Sequence, residues 1–123
     1  MLLDSNIIIY AVKPDYPEVR VFVKQHDVAA SLMSRTEALG YHDLCEAETS
    51  KLERLFDLLA VQPITESVIQ RSIELRRRRK SMKTVDAIIA ATALEMDSSL
   101  ATHNTSDFDW IDELDVIDPV SGK

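Results

Sequence analysis

Asp4 follows the first apolar run of the chain, Met1-Leu2-Leu3. Asp86 stands in Thr84-Val85-Asp86-Ala87-Ile88-Ile89-Ala90-Ala91-Thr92-Ala93, where nothing else is charged. A carboxylate in an apolar setting is costly unless something compensates it. Neither acid has a strongly cationic setting in the sequence, so a divalent metal is the partner this pattern suggests. Two further acids, Glu37 and Asp107, stand at other junctions between predicted elements. An oxygen-rich site of this kind suits Mg²⁺ or Mn²⁺, hard ions bound by carboxylates and waters. Two such ions roughly 3.5–4 Å apart would clamp the attacking and leaving oxygens of a phosphodiester.

For four acids so far apart in sequence to meet, the fold must bring them to one edge. Residues 1–3 read as a short strand, broken by the polar trio Asp4, Ser5 and Asn6, and residues 6–12 as a short helix ending near Pro14. Asp15-Tyr16-Pro17-Glu18 offers a capping box with Pro in the first turn, opening a helix to about Gln25. Residues 28–31 suit a second strand. Ser34-Arg35-Thr36-Glu37 starts another helix, and 45–59 continues helical with Leu52, Leu55, Phe56 and Leu59 on one face. Residues 61–64 make a third strand shortened by Pro63. Thr65 caps a helix to Lys80, and Thr84 caps the next, whose Val85, Ile88, Ile89, Thr92 and Met96 predict a buried stripe. Residues 99–102 and 115–117 are the last strand candidates. Strands alternating with helices predict an α/β fold, a short central parallel sheet flanked by helices on both faces. In such a sheet ligands bind outside the carboxyl ends of the strands, where these acids would converge.

Each acid also has a structural reading. Asp4 can cap a helix from Ile7 onward. Glu37 lies three residues after Ser34 and fits a capping box. Asp86 would gain from the dipole at a helix start, and Asp107 from simple solvation among its acidic neighbours. Four weak signals at four junctions of one alternating pattern favour the metal reading. A zinc site at His42 and Cys45 lacks a second cluster. Cys45 with His103 lacks the setting of a nucleophile and its base.

At 123 residues the chain fits one domain, 1–123, with a single core. Two glycines, Gly40 and Gly122, exclude a glycine-rich phosphate loop. One cysteine excludes an internal disulfide, no apolar run is long enough for a bilayer, and Met1 leads directly into the first strand. A cytoplasmic protein with no membrane association is expected. The net charge of -7 argues against a simple nucleic-acid binder, yet Arg76, Arg77, Arg78, Arg79 and Lys80 supply five of fourteen basic residues in one run. That run is either a solvated helix end or a contact for phosphate.

The stretches Leu2-Leu3-Asp4-Ser5-Asn6-Ile7, Ser34-Arg35-Thr36-Glu37-Ala38-Leu39-Gly40, Val85-Asp86-Ala87-Ile88-Ile89-Ala90-Ala91-Thr92-Ala93 and Leu100-Ala101-Thr102-His103-Asn104-Thr105-Ser106-Asp107-Phe108 occur in that order. Together they resemble the PIN domain, and within it the VapC-type toxin ribonucleases of type II toxin–antitoxin systems. The resemblance spans the chain. It implies a PIN-like fold and a ribonuclease dependent on Mg²⁺ or Mn²⁺, with Asp4, Glu37, Asp86 and Asp107 at the metal. It implies that Thr102 and Asn104 order the site, with Asn104 or Asp107 standing nearest the ion, and Ser5 and Asn6 beside Asp4 are expected to support it. It implies an RNA substrate and a small antitoxin as partner; exposed apolar positions on the early helices leave room for that antitoxin and for a homodimer, and the dense charge of the 76–80 run is available to RNA or to the antitoxin. Lys83-Thr84 departs from the apolar residue or proline that relatives more often carry, which adds a local basic group. The competing reading within the same fold is an inactive PIN-like module that binds RNA or protein. A haloacid dehalogenase-like phosphotransferase would need a second Asp where Asn6 stands. A receiver domain would need an acid where Leu3 precedes Asp4.

Overall fold

The computed structural model of the protein describes residues 1–120; the last residues of the domain expected over 1–123 lie outside that range. Strands β1 (Leu2–Leu3), β2 (Ala29–Ser31), β3 (Ala60–Gln62), β4 (Leu100–Ala101) and β5 (Val116–Ile117) form one five-stranded sheet in the order β3-β2-β1-β4-β5, all pairs parallel. Parallel strands need long crossovers. Helices α1 (Ser5–Tyr10), α2 (Pro17–Gln25), α3 (Leu32–Leu39), α4 (Glu46–Leu58), α5 (Glu66–Arg78) and α6 (Thr84–Glu95) supply the first three, in pairs, and the crossover from β4 to β5 carries only a 3-10 turn at Thr105–Asp107.

Successive strand residues point to opposite faces. Leu2 is in register with Ala29 and Leu100, and these three enter one core with Val68 and Leu75 of α5 and the apolar residues of α6. Leu3, Ala30 and Ala101, also in register, enter the other core with Ile7 and Ile8 of α1, Val19 of α2 and Leu52 and Phe56 of α4. The expected two-faced parallel sheet is what forms.

The strand order reverses between β1 and β4, because the chain builds outward from β1 to β2 and β3 on one side and from β4 to β5 on the other. A crevice opens outside the carboxyl ends at such a reversal. The ladder runs past the short strands to reach it. The Asp4 N–H donates to Ala101 O at 2.8 Å, and the Thr102 N–H donates to Ile117 O at 2.9 Å.

Several local readings change. α6 begins with Lys83 as its N-cap residue, so Thr84 is its first helical residue and does not cap it. It is buried without interruption from Ala87 to Ala93, not along one stripe. Its alanines let α5, α3 and the sheet close around it, and Thr92 satisfies its buried hydroxyl by donating to Ile88 O at 2.7 Å. α2 takes Tyr16 as N-cap with no side-chain bond, so the capping box at Asp15 does not form; Pro17 in the first turn sets the start instead. β3 covers residues 60–62, starting one residue and ending two residues earlier than expected. Its three residues pair with β2 and the strand stops before Pro63, which has no N–H to give to a ladder. α5 stops at Arg78 rather than Lys80, with Arg79 in extended backbone.

Candidate active site

Asp4 sits at the crevice because β1 ends there, and it also caps α1. Its Oδ1 accepts from the Ser5 N–H at 2.8 Å and its Oδ2 from the Thr102 hydroxyl at 2.7 Å. Asp4 is 6% exposed and Thr102 is fully buried. Thr102 Oγ1 in turn accepts the Asn104 N–H at 3.1 Å, so the chain after β4 is tied to the same acid. Burial pushes the Asp4 carboxyl above its ordinary range, the bonds from Thr102 and Ser5 oppose that shift, and the charges of Glu37 and Asp107 add to it.

Glu37 does not close a capping box. α3 starts at Leu32, capped by Ser31, whose hydroxyl accepts from the Met33 N–H at 3.1 Å. Ser34 and Glu37 are therefore interior helix residues one turn apart, on a face that meets α1. The Ser5 hydroxyl lies 2.6 Å from Glu37 Oε1 and 2.9 Å from Ser34 Oγ. One hydroxyl carries one proton, which goes to the carboxylate at the shorter distance, and Ser34 donates to Ser5. Ser34 is a member of this network that its reading as a cap concealed.

Asp86 is the third residue of α6 and is partly buried. Its carboxyl is pushed up to about 6, by burial first and then by the charges of Asp4, Asp107 and Glu37, with Lys83 acting in the other direction. The other three acids are thus all felt at Asp86, and Glu37 and Asp107 are felt at Asp4 as well. A group of low exposure with three like charges around it is the pattern expected where a cation belongs. Among the described residues no three His, Cys, Asp or Glu side chains close around one point.

The remaining residues divide. Asn104 joins the network through its backbone, and among the described residues neither its side chain nor that of Asn6 makes a hydrogen bond. The 76–80 run does not form one patch. Within α5 successive positions turn by about 100°, so Arg76 and Arg78 diverge, whereas Arg78 and Arg79, at the helix end, converge on Trp110. Arg76 Nε donates to Met82 O at 3.2 Å, and Arg78 grips Glu113 through two bonds of 2.9 and 3.3 Å. Arg79 lines a cavity of about 70 Å³ with Lys83, Asp86, Asp107 and Trp110, beside the acids. Trp110, three residues after Asp107, is the site neighbour the sequence reading passed over. His103 faces Asp118 at 3.1 Å, and Cys45 is exposed at the start of α4, so neither belongs to a nucleophile pair.

The family model described as PIN domain matches residues 1–114. Ribonuclease VapC10 of Mycobacterium tuberculosis is 35% identical over 95 residues, which cover 74% of this chain and 70% of that protein. A chain of a toxin–antitoxin complex from Klebsiella pneumoniae superposes with a TM-score of 0.77 at 28% identity, with 96% of each chain covered. A chain of VapBC-1 from nontypeable Haemophilus influenzae gives 0.77 at 25% identity, again with 96% of each chain covered.

Proposed function

The chain belongs to the PIN domain family, and from that premise we propose that it is a divalent-metal-dependent endoribonuclease, the toxin of a toxin–antitoxin pair. The observation that carries the proposal is the shared field of Asp4, Glu37, Asp86 and Asp107 at the reversal of strand order. The relative named a ribonuclease supports the reaction class, and the superposed toxin–antitoxin complexes support the partner.

Asp4 and Asp86 would hold Mg²⁺ or Mn²⁺, with Glu37 and Asp107 completing the oxygen set. When bound, such an ion supplies Lewis acidity at a phosphodiester and lowers the pKa of water beside it. The chain's own residues orient the acids. Thr102 and the Ser5 amide each occupy one lone pair of an Asp4 oxygen, which fixes the carboxylate and leaves each oxygen another lone pair. The Ser5 hydroxyl holds Glu37 toward α1, so one residue aligns acids from two elements.

The partner reading draws support from a cavity of about 430 Å³ beside α1, α2 and α4. Its floor includes Val12, Val23, Leu55 and Leu59, and its rim carries Arg20, Lys24, Lys51 and Arg54. Leu58, at its edge, is 84% exposed. In a chain of net charge -7, such a groove fits an amphipathic antitoxin segment with an acidic polar face. Ile69 and Ile73, exposed one turn apart on α5, are apolar residues the homodimer would cover. Among the described residues no helix is long and apolar enough to cross a membrane, and the proposal puts the protein in the cytoplasm with its RNA.

The test is cleavage of single-stranded RNA by wild type and Asp86→Asn, each in chelator and in Mn²⁺. Cleavage by wild type with Mn²⁺ alone is expected. Equal cleavage in chelator, or by Asp86→Asn, overturns the mechanism.

A further inference from the structure

An acidic chain that binds a polyanion must place its cations where the substrate runs. In the cavity lined by Asp86 and Asp107 those cations are Arg79 and Lys83, and Trp110 lines it with them. The indole is held in place: its Nε1–H donates to Asp107 O at 3.1 Å. Two guanidinium groups lie over the ring, Arg78 at 5.3 Å and Arg79 at 5.4 Å from its centroid. They are not equivalent. Arg78 is anchored by Glu113, whereas Arg79 has no carboxylate within ion-pair distance among the described residues. A solvent-exposed guanidinium–indole contact is weaker than the stacking of a base on an aromatic ring. Arg79 is therefore the group that yields its place over the ring, and its planar fork matches a phosphate. Lys83, whose charge is felt at Asp86, stands in the same cavity wall.

We propose that Trp110 is a stacking platform for one unpaired base of single-stranded RNA, with Arg79 and Lys83 binding the neighbouring phosphate beside Asp86 and Asp107. A duplex keeps its bases stacked inside and offers none to the indole, so the subsite selects single-stranded or looped RNA. Stacking tolerates any base, so this contact adds strand selectivity without sequence selectivity. The inference takes its ligand from the ribonuclease reading.

Trp110 is the sole tryptophan of the chain, which makes it its own reporter. A short labelled oligoribonucleotide is titrated into the wild-type protein in chelator, where no cleavage is expected, following indole emission and label anisotropy together. Saturable quenching that tracks the anisotropy is expected, with none from the same sequence annealed into a duplex. Trp110→Ala should weaken binding about five- to a hundredfold, and Trp110→Phe should restore most of it. Arg79→Gln and Lys83→Gln should each lower the slope of log affinity against log salt by about 0.7. Unchanged emission at saturating RNA, or wild-type affinity in Trp110→Ala, overturns the subsite. A merely structural clamp would show in that variant as a lower Tm with RNA affinity intact. RNA that binds and is cut while the indole stays silent overturns this inference and leaves the nuclease reading standing. Indole quenching in a protein that cuts no RNA under any metal overturns the nuclease reading alone.

Discussion

Asp86→Asn should make the metal-free protein more stable at neutral pH, although it removes a residue central to the proposed activity. Asp86 titrates at about 6 in the fold against 3.8 as the ordinary value. An acid whose folded pKa is raised favours its neutral form in the fold. Its effect on stability is nil below the unfolded pKa, and stability is lost as pH rises from about 4 through about 6. At about 1.36 kcal/mol per pKa unit, the full cost above pH 6 would be about 3 kcal/mol. Asp86 is only partly buried, and solvent screening brings this to roughly 1–2 kcal/mol. Asparagine also forgoes the favourable charge at the start of α6, worth about 0.3–1 kcal/mol. The net gain is about 1 kcal/mol at pH 7.5, or a Tm higher by about 3–6 °C in a domain of this size. Near pH 3.5 the difference should vanish. Saturating Mn²⁺ should reverse the order, because an ion at a hundred times its Kd adds about 2.7 kcal/mol to wild type and less to the variant. Thermal melts of both proteins at the two pH values, in chelator and in Mn²⁺, make the comparison. A variant less stable than wild type by the same amount at both pH values would refute the repulsion argument.

Thr102→Val keeps shape but strips Asp4 Oδ2 and the Asn104 N–H of their partner, so a stability loss of about 1–3 kcal/mol and a fall in RNA cleavage are expected, with Thr102→Ser retaining most of both. Ser5→Ala should lose only about 0.5–1.5 kcal/mol in denaturant titration but slow cleavage of RNA, since Glu37 loses the hydroxyl that aligns it; cleavage at the wild-type rate would remove Ser5 from the site. Calorimetry of Mn²⁺ binding should show weaker affinity in Asp107→Asn and an unchanged value in Asn104→Ala, because the charge of Asp107 is felt at both Asp4 and Asp86 whereas Asn104 joins through its backbone. Reversing Lys51 and Arg54 to Glu together should release an acidic antitoxin in gel filtration while RNA cleavage by the free protein is preserved.

The sheet was legible because its strands are short apolar runs punctuated by polar residues, and their alternation with helices allows few topologies. Asp4 and Asp86 were legible because each is isolated in an apolar stretch. Helix starts were less so. Ser34 and Glu37 have the spacing of a capping box, yet the helix starts at Leu32 because Ser31, at the end of β2, reaches the Met33 N–H first. A local motif cannot reveal that Ser5, from another element, will claim the carboxylate. The stripe expected on α6 was incomplete for a related reason: alanine is a weak periodicity signal, and only the packing of α5 and α3 shows that Ala90 and Ala91 are buried as fully as Ile89. The basic run was visible in composition, but composition does not say that Arg76 turns to Met82 O while Arg78 and Arg79 meet at Trp110. Glu113 and Trp110, which hold Arg78 and Arg79, lie far along the chain, whereas Met82, which takes Arg76, is a local partner.

Asp86 is carried by a helix buried without interruption from its fourth residue to its tenth, and that placement has a consequence. A carboxylate under repulsion from three others would tend to move its helix end away, were that helix loosely packed. Here Ala87, Ile88, Ile89, Ala90 and Ala91 fix the backbone directly behind it, and the first turn cannot retreat without opening the core. Asp4 is fixed likewise by β1 and by its two hydrogen bonds. The repulsion is therefore retained in the fold, and an ion that enters relieves it without waiting for the backbone to rearrange. A bound ion should therefore raise thermal stability, whereas a substitution that relieves the repulsion should stabilise the metal-free protein and weaken its hold on the ion.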